Sequence, residues 1–247
     1  MPRSRVPAER RLIESAAVML LDVEGTTTAV SFVHGVLFPY ARTALEPYLR
    51  APAGDREVQS DLRALRAERT READASAPRW DDADAISSAI AYATWLMDRD
   101  RKSTGLKSLQ GRIWEGGFRA GALRAHVYPD VRPALERWRG QGRRVAIFSS
   151  GSVLAQRLLF AHTTEGDLTP MIDGYFDTTT GPKREAASYA RIAAALGAPP
   201  AAVMFVSDVA AELDAARAAG LRTALCVREA AVPPASDHPV LRSFGEL

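Results

Sequence analysis

The chain has 247 residues, of which 47% are hydrophobic and 25% charged, and its formal net charge is +2. These values fit a globular protein of one large or two modest domains, and they exclude a disordered or low-complexity chain. The positive balance is too mild, and its arginines too scattered among acids, for nucleic acid to be an expected partner.

Residues 1–15 are polar and read as a frayed arm or a short helix. No apolar core with a small-residue cleavage site follows Met1-Pro2-Arg3-Ser4-Arg5, so no secretory signal is read there and a cytoplasmic location is expected. Val18-Met19-Leu20-Leu21 is short and continuously apolar, the pattern of a buried strand, and it stops at Asp22-Val23-Glu24-Gly25-Thr26-Thr27-Thr28. From Ser31 to about Ala125 helical periodicity replaces strand-like runs. Phe32, Val36 and Tyr40 predict one helix, which Pro47 should end or kink. Gly54-Asp55 predicts a turn, and residues 57–74 a solvated helix broken at Ala77-Pro78. Ile86, Ile90, Ala93 and Met97 predict a further helix with Asp81 or Asp82 as N-cap. Another helix is expected over 106–123, made irregular by Gly111, Gly116, Gly117 and Gly121. An inserted α-helical domain is therefore expected.

Strand–helix alternation returns at Val127. Asp130 should begin a helix that Gly140-Gln141-Gly142 ends, and Val145–Phe148 should be a second buried strand running into Ser149-Ser150-Gly151-Ser152. A helix through Leu158 and a short strand at Tyr175-Phe176 follow. Gly181-Pro182-Lys183 should open a helix with Ile192 and Leu196 inward and Gly197 as its stop. Val203–Val206 reads as a third buried strand ending at Ser207-Asp208. The next helix should carry Leu213, Ala216 and Gly220 on one face, before a strand over 223–227 and a tail of loop and terminal turn. This alternation predicts a doubly wound parallel sheet with right-handed crossovers.

Three predicted strands end in polar groups, Asp22, Ser149 and Asp208, and a parallel sheet places such ends on one edge, where α/β proteins bind ligands. Lys183 is expected to return toward that edge. Only Lys102, Lys107 and Lys183 are lysines among 32 basic residues, which singles them out as candidates for a specific need for a compact ammonium, with plain surface charge the alternative for the first two. Two carboxylates, a hydroxyl and an ammonium fit phosphoryl chemistry. Two acids suit Mg²⁺, and of the acids at 22 and 24 one can attack while the other handles a proton.

The motifs Asp22-Val23-Glu24-Gly25-Thr26, Phe148-Ser149-Ser150-Gly151, Gly181-Pro182-Lys183-Arg184-Glu185 and Val206-Ser207-Asp208-Val209 resemble, in that order, those of the haloacid-dehalogenase superfamily of phosphatases. Glu24 where most relatives carry Asp, together with Leu37-Phe38-Pro39-Tyr40-Ala41, Asp100-Arg101-Lys102-Ser103-Thr104 and Phe176-Asp177-Thr178-Thr179-Thr180, is similar to the enolase-phosphatase family of methionine salvage. The chain departs from that family at Ala29, where proline is expected, and at Arg228-Glu229-Ala230, where Arg-Pro-Gly is common.

The resemblance implies an α/β core of residues 1–30 and 126–247 and a helical cap of residues 31–125. It implies Asp22 as nucleophile and Mg²⁺ ligand, and Glu24 as acid and base whose main-chain carbonyl also binds the metal. Ser149, Ser150 and Lys183 would bind substrate, and Asp208 would be the second carboxylate ligand. Glu212, one helical turn on, would position metal-bound waters or Lys183, or else be a solvated helix acid. Lys102 and Lys107 flank an expected loop at Ser103-Thr104-Gly105 that a cap could present to substrate. The implied substrate is a small phosphorylated molecule, 2,3-diketo-5-methylthiopentyl 1-phosphate, which is enolised and then dephosphorylated. The rival readings are a general sugar-phosphate phosphatase, a dehalogenase and a catalytically dead binding module. His34, His126, His162 and His238 lack metal-ligand spacing, Cys226 reads as inert core, and the four tryptophans read as packing. The longest apolar runs are too short to span a membrane, the single cysteine fits a reducing compartment, and a monomer is expected since no exposed apolar stripe stands out.

Overall fold

The computed structural model describes residues 16–50, 56–101, 103–228 and 236–247. The expected N-terminal arm, the Gly54-Asp55 turn, Lys102 and Glu229-Ala230 lie outside the described residues. In chain order the main elements are β1 (Val18–Leu21), α1 (Phe38–Leu49), α2 (Arg56–Arg71), α3 (Ala85–Asp98), α4 (Thr104–Arg119), α5 (Val131–Gly140), β2 (Arg144–Phe148), α6 (Val153–Ala161), β3 (Gly174–Phe176), α7 (Ala186–Ala195), β4 (Val203–Ser207), α8 (Ala210–Ala218), β5 (Arg222–Cys226) and β6 (Val240–Leu241). The chain divides into two compact units, one formed by the residues up to Val33 and from Arg124 onward, the other by His34–Leu123. No described helix is long and apolar enough to cross a membrane.

The first unit is a sheet in the order β3-β2-β1-β4-β5-β6, with every pairing parallel and helices on both faces. Covering both faces explains why the strands read as unbroken apolar runs rather than as alternation. Val18 and Leu20 of β1, Ala146 and Phe148 of β2, and Val203 and Phe205 of β4 share one buried layer with Tyr189 and Ile192 of α7 and Leu213 and Ala216 of α8. The intervening Met19, Leu21, Val145, Ile147, Met204 and Val206 are buried as well. The register pairs Leu21 with Ile147 on one side and with Val206 on the other, so β1, β2 and β4 end side by side.

Several expected boundaries move. The helix expected from Gly181 begins only at Ala186, and Lys183 lies in the turn before it, because Ser188 Oγ donates to the Pro182 carbonyl and Tyr189 Oη to the Lys183 carbonyl, folding that turn against α7. Gly220 lies beyond the end of α8, where φ of +86° suits glycine in a left-handed turn. The tail adds a strand the sequence did not announce, β6, whose two residues are too few to show a pattern.

In the second unit the chain enters α1 through a π-helical turn, Val33–Leu37. A π turn takes an extra residue, which rotates the buried face. Leu37, Ala41, Leu45 and Leu49 are therefore inside, and Val36, expected inside, is exposed. Pro47 does not stop the helix where it stands: α1 runs on to Leu49, which is fully buried. Asp84, not Asp81 or Asp82, caps α3 by accepting from Ser87 N, while Asp81 caps the preceding 3₁₀ turn. The buried stripe of α3 is Ala89, Tyr92, Ala93 and Leu96, flanked by half-buried Ile86, Ile90 and Met97.

Helix α4 is continuous rather than irregular. It is capped by Ser103, and the Glu68 carboxylate accepts from both Ser103 Oγ and Gly105 N. Thr104 and Gly105 are thus its first turn, not a loop, and Lys107 follows on the helix. Gly117 is glycine because a Cβ there would stand 2.6 Å from the Tyr40 ring. Asp61, 1% exposed, is held by Arg112 at 2.7 Å and by Tyr48 Oη at 2.8 Å, and burial with the Asp61 charge pushes the Tyr48 hydroxyl well up.

Candidate active site

Asp22, Glu24, Ser149, Ser150, Lys183 and Asp208 all belong to the first unit, whereas Lys107 belongs to the second. Asp22 follows β1 directly, tied to the sheet by its N–H to the Val206 carbonyl at 3.0 Å. Its carboxylate is buried, and Oδ1 accepts from Val23 N at 2.7 Å. After it the chain turns tightly. The amides of Thr26, Thr27 and Thr28 all point back at the Val23 carbonyl, and Gly25 N donates to the Thr28 carbonyl. Gly25 adopts φ of +68°, and a Cβ there would meet the Asp208 carboxylate, 2.5 Å from Cγ and 3.2 Å from Oδ1. Glycine therefore meets two needs, the left-handed backbone and the close approach of Asp208 from the end of β4.

Lys183 Nζ is buried between Asp22 Oδ1 at 2.7 Å and Glu212 Oε2 at 2.6 Å, and lies 5.8 Å from the Phe148 ring centroid. Ser207 Oγ stands between the same two acids, 3.0 Å from Asp22 Oδ2 and 3.2 Å from Glu212 Oε2, and accepts from Val209 N at 3.1 Å. Glu212 is thus buried in the cluster and is not a solvated helix acid. Ser149, after β2, is buried, and its Oγ accepts from Gly151 N at 3.1 Å. Ser150 is exposed and Glu24 half-buried. The Ser149–Ser152 turn is braced from behind by Gln156 Nε2, which donates to the Gly151 and Phe176 carbonyls, and by Asp177, which accepts from Val153 N.

Charge is unbalanced here. Three carboxylates, Asp22, Asp208 and Glu212, face one ammonium, Lys183. Asp208 keeps an exposed edge beyond β4, yet the protein packed around its carboxylate and the Asp22 charge push it up to about 6, with Glu24 adding to the rise. Burial and Asp22 likewise push Glu212 up, against the pull of Lys183. Burial would lower Lys183, yet the charges of Asp22 and Glu212 more than reverse this and hold it above the usual lysine range. The excess negative charge has the magnitude and sign that a divalent cation would balance. Among the described residues no three acid, histidine or cysteine side chains form a complete metal cage. Carboxylate oxygens in excess of the nearby ammonium are the hard ligands that a small, water-retaining dication takes.

A haloacid dehalogenase-like hydrolase family profile matches residues 16–220. An enolase-phosphatase E1 from Synechococcus elongatus is 54% identical over 94% of this chain and 98% of its own length. The chain belongs to the enolase-phosphatase E1 family of haloacid dehalogenase-like hydrolases. A second enolase-phosphatase E1, from Azotobacter vinelandii, is 51% identical over 92% of this chain and 94% of its own. Among solved structures, the UTR4 protein of Saccharomyces cerevisiae superposes with a TM-score of 0.78 at 34% identity, covering 94% of this chain and all of that one. Membership in this hydrolase family implies a divalent metal, and the surplus carboxylates described above fit one.

Sequence reasoning missed Ser207 as a bridge between two acids and Tyr189 as the anchor of the lysine turn. Ser207 was visible beside Asp208, but nothing in spacing shows that its hydroxyl turns inward. Tyr189 carries no motif or spacing signal that would single it out.

Proposed function

We propose that this hydrolase is a bifunctional enolase-phosphatase of methionine salvage, acting on 2,3-diketo-5-methylthiopentyl 1-phosphate with Mg²⁺ to give the acireductone 1,2-dihydroxy-5-methylthiopent-1-en-3-one. The observation that supports it best is the direct pairing of Lys183 with Asp22, at the place where β1, β2 and β4 end together. Family membership supplies the substrate.

Asp22 attacks phosphorus, and the bond to the leaving oxygen breaks as Glu24 protonates that oxygen. Glu24 then takes a proton from water, whose oxygen attacks phosphorus and frees inorganic phosphate with the Asp22 carboxylate restored. Lys183, Ser149 and Ser150 hold the phosphoryl oxygens. Asp22, Asp208 and the Glu24 main-chain carbonyl would hold Mg²⁺, which would neutralise phosphate charge. The helical unit His34–Leu123 serves as the cap.

Phosphate release is measured on a panel of phosphate esters and the diketone phosphate, each with Mg²⁺ or EDTA. Strong preference for the diketone, abolished by EDTA, is expected. Equal or better turnover of sugar phosphates overturns the substrate assignment, and no turnover of any ester overturns the enzyme assignment. Glu24→Gln should still enolise the diketone, seen by its ultraviolet change, but release no phosphate. Lys102→Ala and Lys107→Ala are measured side by side: a raised KM in at least one is expected, and unchanged kinetics in both retires a substrate role for the two lysines.

A further inference from the structure

One residue outside this machinery reaches into it. Arg228 follows β5 at the same carboxyl edge of the sheet, and its side chain is 6% exposed. The guanidinium carbon lies 4.5 Å from the ring centroid of Tyr128 and 4.5 Å from that of Phe244. A planar cation in contact with two aromatic rings has its orientation restricted, which a flexible ammonium would not. Nη1 donates to Asp130 Oδ2 at 2.6 Å and to the Arg242 carbonyl at 3.3 Å. The same Asp130 oxygen also accepts from Phe244 N and Ser243 Oγ. Together these donors hold Asp130 below the usual carboxylate range although burial opposes it.

Nε makes a different contact. It donates to the Thr26 carbonyl at 2.9 Å. Within the turn after Asp22 the amides face inward to Val23, which leaves the Thr26 and Thr27 carbonyls to be held from outside. Tyr128 N holds the second at 3.0 Å, and Arg228 holds the first. Thr27 Oγ1 in turn donates to the Asp22 carbonyl at 3.1 Å. Arg228 Nη2 and Thr26 Oγ1 are both buried with no partner. Burying a guanidinium with a donor unused is costly.

We infer that Arg228 is a positioning residue, which fixes the Gly25–Thr28 turn through the Thr26 carbonyl and so holds Asp22 and Glu24 in reacting geometry. The inference rests on the phosphatase reading of those two acids. Lysine at 228 keeps the charge but cannot stack and reach both Thr26 and Asp130.

Arg228→Lys and Asp130→Asn are compared with the wild type for kcat and KM of phosphate release with Mg²⁺, for melting temperature, and for amide hydrogen exchange at Thr26–Thr28. Arg228→Lys should lower kcat about 10–100-fold, the scale of a misplaced reacting group, with KM within about twofold. The turn amides should exchange faster while those of β1 and β4 do not. Asp130→Asn, which frees Arg228 from its far side, should change both readouts in the same direction and less. A folded Arg228→Lys with wild-type kcat and exchange overturns the inference, as does a kcat loss with no faster exchange. If Arg228→Lys does not fold, Asp130→Asn decides by the same two readouts. If the wild type releases no phosphate from any ester, the functional reading fails, and exchange at the turn alone decides whether Arg228 holds it.

Discussion

Replacing Gly25 by alanine puts two separate strains on one atom. The backbone at φ of +68° is left-handed, which costs an L-residue about 1–2 kcal/mol. The new Cβ would also lie 2.5 Å from Asp208 Cγ, inside ordinary van der Waals separation by close to an ångström. Asp208 sits at the exposed end of β4 and can move away. Most of the clash should therefore appear as displacement of that carboxylate, and the stability loss should stay near the backbone figure. For a protein of this size a loss of 1–2 kcal/mol lowers the melting temperature by about 2–8 °C. Displacing Asp208, the proposed metal ligand, by about an ångström should cost far more in rate, on the order of 10²-fold. It should also raise the Mg²⁺ concentration needed for half-maximal activity. The assay is phosphate release titrated with Mg²⁺, beside a melting curve in EDTA. A variant with wild-type Mg²⁺ dependence and rate would refute the placement of Asp208 over Gly25 as the metal-binding arrangement.

The acids raised by burial and mutual repulsion make the protein in EDTA sensitive to pH. Asp208 is pushed up to about 6 and Glu212 is pushed up with it, both above their values in an unfolded chain, so the folded state binds more protons from about pH 4 to beyond 6. Stability should therefore fall as pH rises through that window. Asp208→Asn should flatten the fall and raise the melting temperature at pH 8 in EDTA, while abolishing stabilisation by Mg²⁺; a steeper fall would contradict the charge imbalance. Ser207→Ala removes the hydroxyl between Asp22 and Glu212 and the acceptor of Val209 N, and should cost about 1–3 kcal/mol in urea unfolding together with a lower kcat. In the helical unit, Gly117→Ala drives a methyl into the Tyr40 ring and should destabilise by about 1–3 kcal/mol. Gly116→Ala meets nothing within 4 Å and should stabilise by up to about 1 kcal/mol; equal effects of the two would refute the close packing at Gly117.

The sheet was legible because its strands are buried on both faces and end abruptly in polar residues, which made β1, β2 and β4 visible as apolar runs. The same ends located Asp22, Ser149 and Asp208, and the scarcity of lysine singled out Lys183. What escaped depends on where single atoms point. The inward hydroxyl of Ser207 and the reach of Arg228 back to Thr26 come from residues distant in sequence meeting at one edge. The start of α7 was misplaced because proline at 182 is a common first helical residue, whereas here side chains of α7 fold the preceding turn back on it. The buried face of α1 was misjudged because one π turn shifts the phase of everything after it.

The two outermost strands of the sheet have only three and two residues, β3 at one border and β6 at the other. Unpaired strand borders are where a neighbouring polypeptide adds itself by main-chain hydrogen bonding, and shortening them is one way natural sheets prevent it. With so few open donors and acceptors on either flank, this sheet offers poor purchase for fibrillar growth or for continuation into a second molecule. Among the described residues, helices and loops rather than strand borders are the surfaces open to self-association.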